Sequence, residues 1–150
     1  VTDERAIANV LARYAERIDA GDFAGLGQLF ADGVVRFDGG DDVFSGATAV
    51  AEMYRSVVQV HGDSPLTKHV MTNFFIEVDP SGSSAVARSY WTVFQAHPEM
   101  ALQPIACGRY ADQLEKANGE WHFVERIIIR DLVGDLRFHL RQDPYDELEG

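Results

Sequence analysis

Three side chains in the 150-residue sequence could together do acid–base chemistry: Asp19, Tyr14 and His69. Asp19 lies in "RYAERIDAGDF", where a helix is ending. At about 100° per residue it falls on the strip of Ala8, Ala12 and Ala15, small residues that let backbone or ligand approach closely. A carboxylate in a last helical turn opposes the helix dipole. A solvated helix-end acid and a carboxylate set beside a pocket therefore both remain open. Tyr14 sits about 140° round the same helix, so the two residues bracket its apolar face. Taken alone it reads as a core tyrosine whose hydroxyl finds a partner. His69 opens a strand and by alternation shares a face with Met71, Asn73 and Phe75. Taken alone it reads as a satisfied core or rim histidine. Asn73 could bind a substrate oxygen or satisfy buried backbone. Met71, Tyr54, Tyr110 and Trp91 complete the candidate pocket lining. Alternation puts Arg109 and Tyr110 on opposite faces, so at most one of them faces inward. Arg126 and Glu125 read as structural ion-pair or interface residues.

The elements that must position these groups follow from hydrophobic period. Ile7, Leu11, Tyr14 and Ile18 predict a helix over 3–20, with Thr2 or Asp3 as N-cap and Gly21 as the stop. A second short helix is expected over 22–30, capped by Asp22, and a third over 47–61 with Val50, Met53, Tyr54 and Val57 as its stripe. Two short strand-like pieces lie between them. Long strand-like runs then flank "DPSGS" and "KANGE", both hairpin signals. Helices first and hairpin-linked strands afterwards argue an α+β domain, helices packed on one face of a curved, mostly antiparallel sheet. The strands are apolar on both sides, which predicts a homodimer through the sheet. Residues 134–150 are expected to form a tail or lid on a single domain spanning 1–150.

Composition sets outer bounds. The 46% apolar and 25% charged content belong to a globular chain, and 150 residues suffice for one sizeable core. The net charge of −11 disfavours nucleic acid and anionic membrane surfaces as partners. No apolar run is long enough to span a membrane, and the acidic start is unlike a signal peptide, so a cytoplasmic location is expected. A single cysteine, Cys107, excludes an internal disulfide and multi-cysteine metal sites, and it reads as an inert buried thiol. The histidines His61, His69, His97, His122 and His139 lack metal-ligand spacing, and no nucleotide-binding glycine motif occurs, so neither metal nor cofactor is expected.

The segments "RYAERIDAGDFAGLGQLFADGVVRF", "TKHVMTNFFIEVD", "SSAVARSYWTVF" and "GRYADQLEKANGEWHFVERIIIRD", in that order, resemble the SnoaL-like branch of the nuclear-transport-factor-2-like superfamily. The resemblance covers nearly the whole chain to about residue 132. It implies a cone-shaped α+β barrel of three N-terminal helices on a curved sheet, open at one end into an apolar pocket. In the scytalone and bile-acid dehydratase relatives, a tyrosine and an aspartate on the first helix face a histidine opening this strand. Tyr14, Asp19 and His69 match those positions one by one. The resemblance thus implies that His69 moves a proton, Asp19 orients it and Tyr14 polarises a carbonyl. A second histidine, carried by scytalone dehydratases on the neighbouring strand, is missing: Tyr90, Trp91 and Thr92 stand there, and His97 lies near a loop. The leading expectation is a cofactor-independent lyase or isomerase acting on a hydrophobic cyclic hydroxy-ketone such as a polyketide, steroid or aromatic catabolite. The alternative is a non-catalytic binding or subunit protein, like the β subunits of ring-hydroxylating dioxygenases.

Overall fold

A computed structural model describes residues 1–146. In chain order the elements are α1 (Asp3–Asp19), α2 (Phe23–Gln28), β1 (Val34–Phe37), β2 (Val43–Ser45), α3 (Gly46–Val57), β3 (Thr67–Val78), β4 (Ser84–His97), β5 (Met100–Ala117) and β6 (Glu120–Val133). The apolar period of α1 becomes its buried face: Ile7, Leu11, Tyr14 and Ile18 are all enclosed. Thr2 caps the helix, its hydroxyl accepting from Arg5 N at 3.2 Å. Gly21, at φ 71°, turns the chain out of it. Asp22 caps α2 by accepting from Gly25 N at 2.9 Å. The third helix is shorter than the expected 47–61, although its apolar stripe from Val50 to Val57 is buried as expected. It stops at Val57 because Val58 turns extended and bridges Leu140 of the C-terminal segment.

The strands form one six-stranded sheet in the order β2-β1-β6-β5-β4-β3. Every neighbouring pair is antiparallel except β1 with β6. The sheet curls around the helices as an open cone, its edge strands β2 and β3 unpaired with one another. Asn118 and Gly119 both adopt positive φ, as the two-residue connection between β5 and β6 demands. The concave face packs on α1, α2 and α3, with Phe30 stacked on Phe123 at 4.6 Å between ring centroids. On the convex face Val70, Phe75, Val86 and Tyr90 are exposed.

Two irregularities shape the concave face. β3 carries a bulge between Thr72 and Phe75, with Asn73 at φ 55°. One irregular step reverses the alternation, so His69 and Met71 point inward before it and Ile76 and Val78 after it. The expected shared face of His69, Met71, Asn73 and Phe75 is therefore split. On β5, a side chain at Gly108 would collide with the Ile129 carbonyl and the Trp91 ring, so glycine lets the indole lie against the strand.

Candidate active site

The last turn of α1 meets the first residues of β3, and this junction answers how a carboxylate sits at a helix C-terminus. Asp19 Oδ1 accepts from Thr67 Oγ1 at 2.9 Å and from His69 Nδ1 at 2.7 Å, while Oδ2 accepts from His69 N at 2.8 Å. Three donors from β3 offset the unfavourable dipole. Burial pushes the Asp19 carboxyl up, and the bonds from His69 and Thr67 outweigh it, holding the group below the usual carboxylate range. An ionised carboxylate only accepts, so Nδ1 of His69 carries a proton, and in the neutral imidazole the lone pair is on Nε2. Both side chains are nearly enclosed, at 6% and 11% exposure.

His69 forms part of the wall of a cavity of about 80 Å³, together with Tyr14, Tyr54, Tyr110, Trp91 and His139. Aliphatic side chains such as Ile18, Val57 and Val93 supply the rest, so the lining is largely apolar. The Tyr14 and Tyr54 hydroxyls are hydrogen-bonded to each other, and the Tyr110 ring stands edge-on to Tyr14 at 5.7 Å. Burial pushes all three phenols up, so they remain protonated donors at neutral pH. Beneath them the guanidinium of Arg126 stacks 3.7 Å from the Tyr110 ring and 4.3 Å from the Tyr14 ring. It is clamped by Asp112 through two bonds of 2.8 and 2.9 Å. Burial works against the Arg126 charge, and the Asp112 carboxylate overrides it, so the guanidinium titrates even higher than usual.

Tyr14, His69, Tyr54, Tyr110 and Trp91 thus surround one cavity, and Asp19 stands behind His69. Tyr14 and Asp19 reach different partners, as their bracketing positions on α1 imply. Asn73 and Met71 do not join them. The bulge turns Asn73 onto the convex face, beside Tyr90 and Arg109, and Met71 packs against the core without lining the cavity. Tyr110 faces the cavity, whereas Arg109 points outward to Asp131 at 2.8 Å. Arg126 is a structural ion-pair residue, with Asp112 as its partner. Its sequence neighbour Glu125 instead pairs with Arg36 at 3.4 Å. His97 stacks on Phe138 at 3.8 Å, away from the dyad.

The residue that pattern-reading missed is His139, which the segment after β6 brings to the cavity wall with its ring centroid 6.1 Å from that of His69. No period or motif marks it. Residues 134–146 pack as a wall: Tyr145 donates to the Ile128 carbonyl at 2.8 Å, and Arg130 pairs with Asp143 at 2.8 Å. The remainder of the expected tail or lid, 147–150, lies outside the described residues. Among the described residues no cluster of three or more His, Cys, Asp or Glu is arranged to hold a metal. No helix among them is long and apolar enough to cross a membrane.

A model of the SnoaL-like domain matches residues 1–127. Among solved structures, Rv3472 of Mycobacterium tuberculosis, a protein of unknown function, is 29% identical with a TM-score of 0.72, the match covering 87% of this chain and 73% of that one. An NTF2-like protein with a cystatin-like fold from Novosphingobium aromaticivorans is 21% identical with a TM-score of 0.71, covering 85% and 81%. A candidate scytalone dehydratase from the same organism is 22% identical with a TM-score of 0.70, covering 89% and 87%. The last two likenesses concern the fold. No curated protein matches the sequence.

Proposed function

The chain belongs to the SnoaL-like family, and on that footing we propose that it is a cofactor-independent lyase or isomerase acting on a cyclic hydroxy-ketone. The observation that carries the reading is the 2.7 Å bond from His69 Nδ1 to Asp19, which leaves the other ring nitrogen of a cavity-lining imidazole as a base. His69 Nε2 takes the proton alpha to the carbonyl. The electron pair moves into the carbonyl oxygen, where a phenol of the Tyr14–Tyr54 pair stabilises the developing enolate. Asp19 holds the imidazolium that forms. In an elimination the enolate collapses, the bond from the β-carbon to its hydroxyl breaks, and the imidazolium proton leaves with the oxygen as water. In an isomerisation the same proton returns to a different carbon. At about 80 Å³ the largely apolar cavity favours the most compact members of that substrate class.

The proposal can be tested before the natural substrate is known. In D2O the wild-type protein is expected to accelerate α-proton exchange in a panel of one- and two-ring cyclic ketones, followed by 1H NMR. Replacing the base, as in His69→Ala, is expected to slow that exchange by roughly 10²–10⁴-fold with the far-UV circular dichroism unchanged. Exchange that survives in His69→Ala sinks the assignment. A wild-type protein that exchanges none of the ketones favours the non-catalytic binding role.

We also propose that two copies associate through the convex face, where Val70, Phe75, Val86 and Tyr90 expose apolar surface. Sedimentation should give twice the chain mass at micromolar concentration, and Val86→Glu should give a monomer. A wild-type monomer under those conditions rules the association out.

A further inference from the structure

After β6 the chain folds back across the end of the cavity, and hydrogen bonds fasten residues 137–141 to the residues that end and follow α3. The Gln59 side-chain amide donates to the carbonyls of Arg137 and Leu140, each at 2.8 Å. Gln59 N donates to the His139 carbonyl at 2.8 Å, and Arg141 N to the Val57 carbonyl at 2.7 Å. This backbone mooring sets the His139 ring in the cavity wall, with the residue only 8% exposed. His139 lies beyond the residues that the family model matches.

The two nitrogens of the ring differ. Nδ1 is sealed in and has no hydrogen-bond partner. Nε2 has no protein partner among the described residues either, and the ring that carries it lines the cavity. An enclosed N–H with no acceptor is the costlier orphan, so the proton belongs on Nε2 and the bare lone pair on Nδ1. Neutral His69 has the opposite arrangement, its Nδ1–H bound to Asp19 and its lone pair on Nε2. One apolar cavity therefore presents an accepting imidazole nitrogen and a donating one.

We infer that His139 is a substrate-contacting residue, its Nε2–H donating to a second ligand oxygen while the tyrosine hydroxyls take the first. The inference rests on the reading of this cavity as the substrate site. It makes His139 a positioning residue for the hydroxyl of a hydroxy-ketone, and it separates substrates with two oxygens from those with one. Burial and the nearby His69 push the His139 imidazole down, to about 3, against an opposing pull from Asp19, so it works as an uncharged donor.

Phenol and resorcinol, one-ring probes with one and two hydroxyls, test this by titration into protein carrying 15N-labelled histidine. Both probes are expected to move the His69 ring nitrogens, and resorcinol alone to move Nε2 of His139 strongly. Resorcinol is expected to bind roughly fivefold more tightly than phenol, the value of one neutral hydrogen bond. His139→Phe, which keeps a ring in the wall, should erase that preference while still binding phenol. His139→Gln, whose amide N–H reaches the place of Nε2, should restore it. A preference that persists in His139→Phe, or a His139 ring unmoved by resorcinol while His69 responds, overturns the inference and leaves the proposed chemistry standing. Silence at both histidines overturns the cavity reading as well.

Discussion

The molecule holds two buried pairs of an aspartate with a nitrogen base, and they differ in how completely they are closed. Asp112 and Arg126 are both fully enclosed, joined by two bonds, and capped by the faces of Tyr14 and Tyr110. Asp19 and His69 retain 11% and 6% exposure, and one ring nitrogen of His69 is left over at the wall of a cavity. The first pair offers no free valence to a ligand, because its one unpartnered nitrogen, Arg126 Nη1, is buried and Arg126 does not line the cavity, and it holds the phenols above it in place. The second has one, backed by a carboxylate that fixes its tautomer. Burial alone does not set the two pairs apart; a leftover nitrogen at a cavity wall does.

Breaking each pair should separate the two roles. Asp112→Ala leaves the Arg126 charge buried without its partner and is expected to lower the unfolding free energy by about 3–5 kcal/mol, read by urea denaturation. Asp19→Asn keeps an acceptor for β3 but cannot serve both His69 donors. It should cost only about 1–2 kcal/mol of stability while removing most of the α-proton exchange. Similar losses of stability in the two variants would erase the distinction. At the small end, Arg109→Ala removes an exposed pair with Asp131 on the convex face and, made in the monomeric Val86→Glu background, should leave the urea midpoint of that background unchanged.

Acid sharpens the contrast. His139 is pushed down to about 3 in the folded protein, with His69 disfavouring its charge and Asp19 favouring it. The unfolded chain takes up that proton near pH 6.5, so the folded state binds fewer protons between about 3 and 6.5. Its contribution is fully present above that window and is lost as pH falls through it, by at most about 1.4 kcal/mol per pH unit. Asp19, held below 3.8, contributes above its unfolded value and loses its share only at lower pH. Urea midpoints at pH 4.5 and 7 should therefore differ less in His139→Phe than in the wild type. An unchanged difference would mean that His139 titrates normally.

The sequence made the first half of this site legible and hid the second. The α1 period placed Asp19 and Tyr14 on either side of a buried face, and the strand pattern began at His69. Strand alternation then failed at Asn73, because one residue of bulge reverses every later side chain and leaves no compositional mark. The partner of Arg126 was within one residue of reach: counting back from the Asn118–Gly119 turn brings Ala111 opposite it, and the register shift between Gln113 and Leu114 moves the pairing on to Asp112. His139 was not. It is held by backbone carbonyls meeting Gln59 and Arg141, contacts that any residue could supply, so its position belongs to tertiary packing alone.

The three bonds on Asp19 have a consequence for how activity is acquired. They join the end of the first helix to residues 48 and 50 positions further along the chain. The His69 imidazole is thus oriented by a clasp between distant segments, and no fragment containing only one side of that clasp can hold it so. Turnover then becomes a gauge of long-range assembly: on refolding, proton exchange should return with docking of α1 on the sheet and not with the appearance of helix.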